Sequence, residues 1–248
     1  MMNMIELSTI QKNIDIIQKN IADAAARSGR DSSDITLMAV TKTKPAETVS
    51  FLLRAGIRCF GENYPDETAG KISAFRAEPS AWLAMIGHLQ SRKAKIVADL
   101  FDEFHSLDRL EIAEKLETLC TERKRVMPVM IECNVGSEDS KSGWLFTDDS
   151  IPDSFLQDFE KISGMSHLDV KGLMILPPYA EEAETNRRYF IRTRKIAGYL
   201  NQYCGAHITE LSMGTSSDYT AAVEEGATII RIGTALVGPR DYSAKASL

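Results

Sequence analysis

The sequence predicts an α/β fold: a single (β/α)8 TIM barrel with an extra N-terminal helix. Three observations lead there. Eight short apolar runs of strand length recur along the chain. Helix-length segments separate nearly all of them, the alternation expected of βαβ units and a parallel sheet. The chain has 248 residues, close to the roughly 250 that one such barrel takes.

The first element precedes the barrel. Ile5, Ile10, Ile14, Ile17 and Ile21 recur at helical spacing, so residues 7–28 read as a helix that ends near Gly29. Glu6, Lys12, Asp15, Lys19 and Asp23 interrupt its apolar positions, which fits an amphipathic helix and not a signal peptide. Residues 35–40 (ITLMAV) form the first strand, because a run without polar alternation suits a strand buried on both faces. Pro45 follows, then a helix over 46–55 closed by Gly56. Further strands are expected at 57–61, 83–87, 103–107, 128–135, 169–176, 208–212 and 228–232. Helices are expected at 65–77, 90–99, 108–123, 150–163, 181–203 and 217–225. An open doubly wound sheet is the alternative, but no G-x-G-x-x-G follows the first strand, so a dinucleotide-binding sheet lacks its main support. The longest polar connection, 136–153, reads as a loop after the fifth strand and not as a domain boundary. Residues 1–248 are therefore expected to form one domain, with residues 1–30 packed on the barrel as its N-terminal helix.

Composition narrows the partners. Net charge is −6, which argues against nucleic acid or an anionic membrane surface. No run of 18 apolar residues occurs, so no transmembrane helix is expected. Cys59, Cys120, Cys133 and Cys204 form no C-x-x-C pair; reduced thiols in the cytoplasm are the expectation. His88, His105, His167 and His207 make no H-x-x-x-H or H-E-x-x-H pattern, and no metal site is expected. A barrel complete within one chain predicts a monomer.

In such barrels chemistry sits at the C-terminal ends of the strands. Lys42 follows the continuous apolar first strand. A lysine at a partly dry barrel mouth has its ammonium form disfavoured, which suits Schiff-base chemistry; a solvated loop lysine is the plain alternative. The loops after the last two strands, with Ser212, Gly214, Ser216 and Asp218 in one and Gly233 and Thr234 in the other, carry glycine beside hydroxyl groups. Many barrels hold a phosphate there. Alternatively Ser216 and Asp218 cap the next helix and the glycines turn the chain.

Taken in order, AVTKTKP (39–45), FGENY (60–64), IGHLQSRK (86–93), HSLDRL (105–110), NVGSEDSKSG (134–143), KGLMILPP (171–178), LSMGTSSDYTAA (211–222) and RIGTALVGPRDY (231–242) resemble the pyridoxal phosphate homeostasis protein family. That family has the barrel of the alanine racemase N-terminal domain. The resemblance runs from about Ile35 to Tyr242. It implies pyridoxal 5′-phosphate (PLP) as cofactor, held as a Schiff base on Lys42, with Asn63 beside it and Met174 packed near the ring. It implies Ser212, Gly233 and Thr234 on the phosphate, Ser216 as a further phosphate contact, and Arg231 facing the pyridine nitrogen. One departure stands out: the family's Trp-His-Phe-Ile-Gly is here Leu83-Ala84-Met85-Ile86-Gly87, so a histidine of the barrel interior is absent.

The resemblance further implies a role in intracellular PLP homeostasis and delivery to PLP-dependent apoenzymes. PLP acts in catalysis as an electron sink. An arginine, always charged, leaves the pyridine nitrogen unprotonated, which weakens that sink. Racemisation also requires acid/base groups on both faces, and no second β domain follows Tyr242 in the sequence. A carrier without a second catalytic base is the first expectation. A low-activity PLP-dependent amino-acid racemase, with Tyr64, Lys44 or Lys141 as second base, is the alternative.

Overall fold

Eight parallel strands close on themselves, and their order around the barrel follows the chain. The computed structural model describes residues 7–136, 141–148 and 150–239. Its elements are α1 (Leu7–Arg27), β1 (Thr36–Val40), α2 (Ala46–Arg54), β2 (Cys59–Glu62), α3 (Pro65–Phe75), β3 (Trp82–Met85), α4 (Ala94–Leu100), β4 (Glu103–Leu107), α5 (Leu110–Glu122), β5 (Met127–Asn134), β6 (Trp144–Leu145), α6 (Asp153–Ser163), β7 (Leu168–Ile175), α7 (Ala183–Tyr203), β8 (Glu210–Ser212), α8 (Tyr219–Glu224), β9 (Ile229–Ile232) and α9 (Thr234–Val237). Going round, β1, β2, β3, β4, β5, β7, β8 and β9 pair in turn, and β9 pairs β1 to complete the ring. The predicted (β/α)8 barrel is the observed fold. β5 therefore stands across the pore from β1.

Two differences from the sequence reading concern local order. The polar connection after β5 holds the two-residue strand β6, which adds to the end of β5 past its last pair with β4, through Cys133–Trp144 and Asn134–Leu145 pairs. The helix expected at 90–99 opens as a 3-10 turn over Ser91–Lys93. Residues 137–140 and 240–242 of the quoted motifs, and Ile5 of the isoleucine stripe, lie outside the described residues.

Packing follows the two periodicities. The main core lies between the outer faces of the strands and the helices, with Phe60, Phe75, Phe101, Phe104, Phe155 and Phe190 fully buried in it. A second apolar layer, formed by Met38, Cys59, Ala84, Met130, Met174 and Ile229, fills the barrel bore. Ala84 sits in this layer, at the position of the missing histidine. This plug makes the barrel a packed core and not a pore. Cys59, Cys120 and Cys133 are buried and Cys204 is exposed, all as free thiols. No described helix is long and apolar enough to cross a membrane, and the described residues hold no metal-ligating cluster.

α1 supports the side of the barrel that carries the last two strand-end loops. Ile10, Ile14, Ile17 and Ile21 are buried. Asn13 Nδ2 donates to the Leu236 carbonyl (2.9 Å), and Asn20 Nδ2 to the Tyr219 hydroxyl (2.8 Å). Arg30, just beyond the helix, donates to the Val223 and Ala227 carbonyls at 2.8 Å each. The extra helix thus braces α8 and α9, whose leading loops face the strand ends.

Candidate functional site

A cavity of about 740 Å³ opens at the C-terminal ends of the strands, within the range of roughly 300–1,000 Å³ usual for small-molecule sites. Lys42, Asn63, Met174, Ser216, Arg231, Gly233 and Thr234 all line it. Ser212 does not: it is fully buried, and its hydroxyl accepts a hydrogen bond from Arg231 Nη1 at 2.8 Å. In this structure Ser212 stands as a support beneath Arg231. The cause is register. Ser212 pairs Met174 on one side and Ile229 on the other, and the Arg231 guanidinium, two residues beyond Ile229, lies over its hydroxyl.

The Lys42 loop is held from below. Lys71, on α3, is almost fully buried, and its ammonium donates to the Thr41 carbonyl (2.8 Å), the Lys44 carbonyl (3.2 Å) and Glu67 Oε1 (2.9 Å). It also pairs with fully buried Glu62 at 2.8 Å. Glu62 accepts from the Thr41 hydroxyl at 2.5 Å, and Glu67 accepts from the Thr43 amide at 2.7 Å. Thr43 has φ +64°, a left-handed backbone that a β-branched residue adopts only when its surroundings enforce it. The Glu67–Thr43 bond and the Lys71 ammonium supply that constraint. Lys42, half-buried on this loop, faces the cavity. Burial raises the Glu62 carboxyl above its usual range, with Lys71 pulling the other way.

The rest of the wall runs from β7 through β8 and back to β9 beside β1. Arg231 is buried, with Nη2 donating to the Ile175 carbonyl at 2.7 Å. Desolvation brings its pKa down to about 10 against the attraction of Asp218 and Glu132, so it stays a cation at neutral pH. Asp218 accepts from the Thr215 amide (2.6 Å) and hydroxyl (3.1 Å) through Oδ1, and from Asn186 Nδ2 (2.7 Å) through Oδ2. It occupies the N-cap position of α8 without a capping bond; its work is to fold the 215–218 loop. Ser216 Oγ accepts from the Ala235 amide at 3.3 Å and ties the two loops together. Gly214, at φ +95°, has no room for a side chain, since a Cβ would stand 2.6 Å from that of Ala222. Gly87 is required for a different reason: a Cβ there would meet the backbone of Asn63 at 2.6 Å, so this glycine lets Asn63 reach the cavity.

Sequence reasoning missed Glu132. It lines the cavity from β5, in register with Met174. Its Oε2 is buried with no hydrogen-bond partner. Desolvation, with Asp108 adding to it and Arg231 and Lys141 opposing, lifts its pKa to about 7. The signal was present: one carboxylate inside the otherwise apolar run PVMIECNV. A carboxyl whose folded pKa exceeds its unfolded one lowers stability as pH rises between the two. Glu132→Gln removes that term. It is expected to raise stability at pH 8 by up to about 3 kcal/mol and to change little at pH 4, as checked by urea denaturation at both.

Of the three second-base candidates, Tyr64 is exposed at the start of α3 and does not line the cavity. Lys44 and Lys141 do; Lys44 Nζ donates to the Pro239 carbonyl (2.6 Å) and Lys141 Nζ to the Leu176 carbonyl (2.9 Å). His88 also stands outside, with Nδ1 at 2.7 Å from Asp108 and 2.9 Å from Ser142.

Comparison with known proteins places this geometry. The profile of the alanine racemase N-terminal domain matches residues 7–241. Proteins named pyridoxal phosphate homeostasis protein from Pasteurella multocida and Pseudomonas aeruginosa are 38% and 39% identical, covering 95% and 97% of this chain and 99% and 100% of their own. The chain belongs to the pyridoxal phosphate homeostasis protein family. Among solved structures, PipY of Synechococcus elongatus with PLP bound is similar to this family member, with a TM-score of 0.74 and 32% identity over 88% of this chain and all of PipY. An alanine racemase from Clostridium difficile superposes on this family member with a TM-score of 0.68 at 14% identity, covering 93% of this chain and 56% of the racemase. That likeness concerns the fold alone.

Proposed function

We propose that this chain binds PLP as one ligand-binding domain (1–248), holding it as a Schiff base on Lys42 and keeping it available to PLP-dependent apoenzymes. The observation that carries the reading is the convergence in one cavity of the half-buried Lys42, the buried Arg231 and the loops after β8 and β9. The residues fit the group. Asn63 Oδ1 is buried at the cavity without a partner among the described residues, a polar atom left for a ligand to satisfy. The hydroxyls of Ser216 and Thr234 and the backbone at Gly233 border the place where barrels hold phosphate.

When bound, PLP supplies an electron sink for carbanions. The chain's own groups restrain that use. Arg231 offers donors and stays charged, so it leaves the pyridine nitrogen without a proton. Met174, on β7, lines the cavity and would pack against the ring. Lys44 and Lys141 hold their ammonium groups on backbone carbonyls at the rim, and neither is fixed as a base on the second face. The soluble-carrier reading gains from the PLP-bound structure of PipY and from the names of the relatives. Exposed Tyr179 and Leu176 at the edge of the cavity support the reading of release to an apoenzyme.

The test has two arms. PLP-loaded protein is mixed with a PLP-dependent apoenzyme, and recovery of its activity is followed. The loaded protein is also incubated with a panel of amino acids and the products resolved by chirality. Activation of the apoenzyme with no turnover is the expected result. Racemisation or transamination that disappears in Lys42→Ala would favour a small racemase instead.

A further inference from the structure

The cavity holds one buried carboxyl oxygen that nothing among the described residues satisfies. Oε2 of Glu132 is enclosed and has no hydrogen-bond partner, on the strand that stands across the pore from Lys42. Buried carboxylates are ordinarily paired or hydrogen-bonded, because ionisation away from water is costly. The groups that face Glu132 can be named from each side. Asp108, after β4, pushes against its charge; Arg231 on β9 and Lys141 on the segment after β5 pull toward it. Its register partner on β7 is Met174, which carries no charge. Arg231 is already committed to Ser212 and to the Ile175 carbonyl, and it also answers the charge of Asp218.

An anion entering this cavity therefore meets two carboxylates, Glu132 and Asp218, with Arg231 as the fully buried cation and Lys42, Lys44 and Lys141 also on the lining. Asp218 accepts three hydrogen bonds. Glu132 has none. We propose that Glu132 takes up a proton from solvent when an anionic ligand binds, so that ligand occupancy is coupled to the protonation of this one carboxyl. Glu132–COO⁻ and one proton give the neutral acid, which can then donate a hydrogen bond into the cavity. The proposal rests on the PLP reading for the identity of the anion, a phosphate ester with a phenolic oxygen. It adds a control of that site by pH.

The sign follows from linkage. In the free protein the carboxyl titrates at about 7, and an anion beside it moves that value further up. Binding is then at full strength below pH 7. It weakens as pH rises, by up to about tenfold per pH unit, until the pKa of the complex is passed. Glu132→Gln keeps the shape and stays neutral, so it loses this dependence. Titration of Lys42 and of the phosphate is common to both proteins and cancels in their ratio.

The experiment is equilibrium dialysis of PLP against wild type and Glu132→Gln between pH 6 and pH 9. The ratio of dissociation constants, wild type over variant, is expected to be flat below pH 7 and to climb about tenfold or more by pH 9. Parallel curves would overturn the inference and leave the PLP reading standing. A wild-type protein that does not bind PLP at any pH would overturn both. Should the variant fail to fold, infrared difference spectra of wild type at pH 8 decide the matter: the stretch of a protonated carboxyl is expected to grow on adding PLP, and an unchanged band would refute the coupling.

Discussion

Lys71→Met is expected to destabilise the protein by about 3–5 kcal/mol, the usual cost of removing one member of a buried ion pair. The ammonium is held among four acceptors, two of them backbone carbonyls of the Lys42 loop. Without it Glu62 is a buried carboxyl with only the Thr41 hydroxyl for company, and its pKa, already raised, moves up again. A raised carboxyl pKa penalises the folded state as pH climbs past the unfolded value near 4.5. The deficit is therefore expected to be larger at pH 8 than at pH 5. Urea denaturation at both pH values measures it. The same change frees Thr43 from part of what enforces its φ of +64°, so PLP affinity is expected to drop more than in a variant of equal instability elsewhere. A loss below about 1 kcal/mol would show that the strut acts as an ordinary surface pair.

Arg231→Leu is expected to cost a similar 3–5 kcal/mol. The guanidinium is the buried cation between Asp218 and Glu132. Leucine leaves the Ser212 hydroxyl and the Ile175 carbonyl without their donor. Asp218 keeps its three hydrogen bonds but faces no buried cation; Glu132 becomes neutral more readily. Thermal unfolding at pH 8 reads the cost, and the visible spectrum of PLP-loaded variant reads the second effect. On the proposed reading, in which Arg231 faces the pyridine nitrogen, its loss would let that nitrogen gain a proton, and amino-acid turnover is expected to rise from its wild-type level. Unchanged stability would show that the Arg231 bonds to Ser212 and to the Ile175 carbonyl contribute nothing net to the fold.

The barrel was legible because its strands are short, apolar and regularly spaced. Each observed strand that closes the ring overlaps an expected one, from Thr36–Val40 to Ile229–Ile232. β6 was not legible, since two residues in a polar loop leave no periodicity. Seven of the eight expected site residues share the cavity wall; Ser212 does not, because alternation along β8 and β9 decides whether a serine meets a ligand or the arginine beside it. The Glu62–Lys71–Glu67 strut was invisible for a different reason. Glu67 and Lys71 sit four residues apart on α3, the spacing of a common solvated helix pair. Only the pairing of β2 with β1, which sets α3 beside the end of β1, brings the Thr41 and Lys44 carbonyls to that lysine. Glu132 was visible as a lone charge in an apolar strand, and its role depends on which groups the other strands turn toward it.

Reduction with borohydride after adding PLP, followed by peptide mass mapping, tests the central claim most directly. A visible absorption band absent in Lys42→Ala, and a reduced phosphopyridoxyl group on the peptide that contains Lys42, is the predicted result. A group fixed only on Lys44 or Lys141, or no adduct at all, would contradict it.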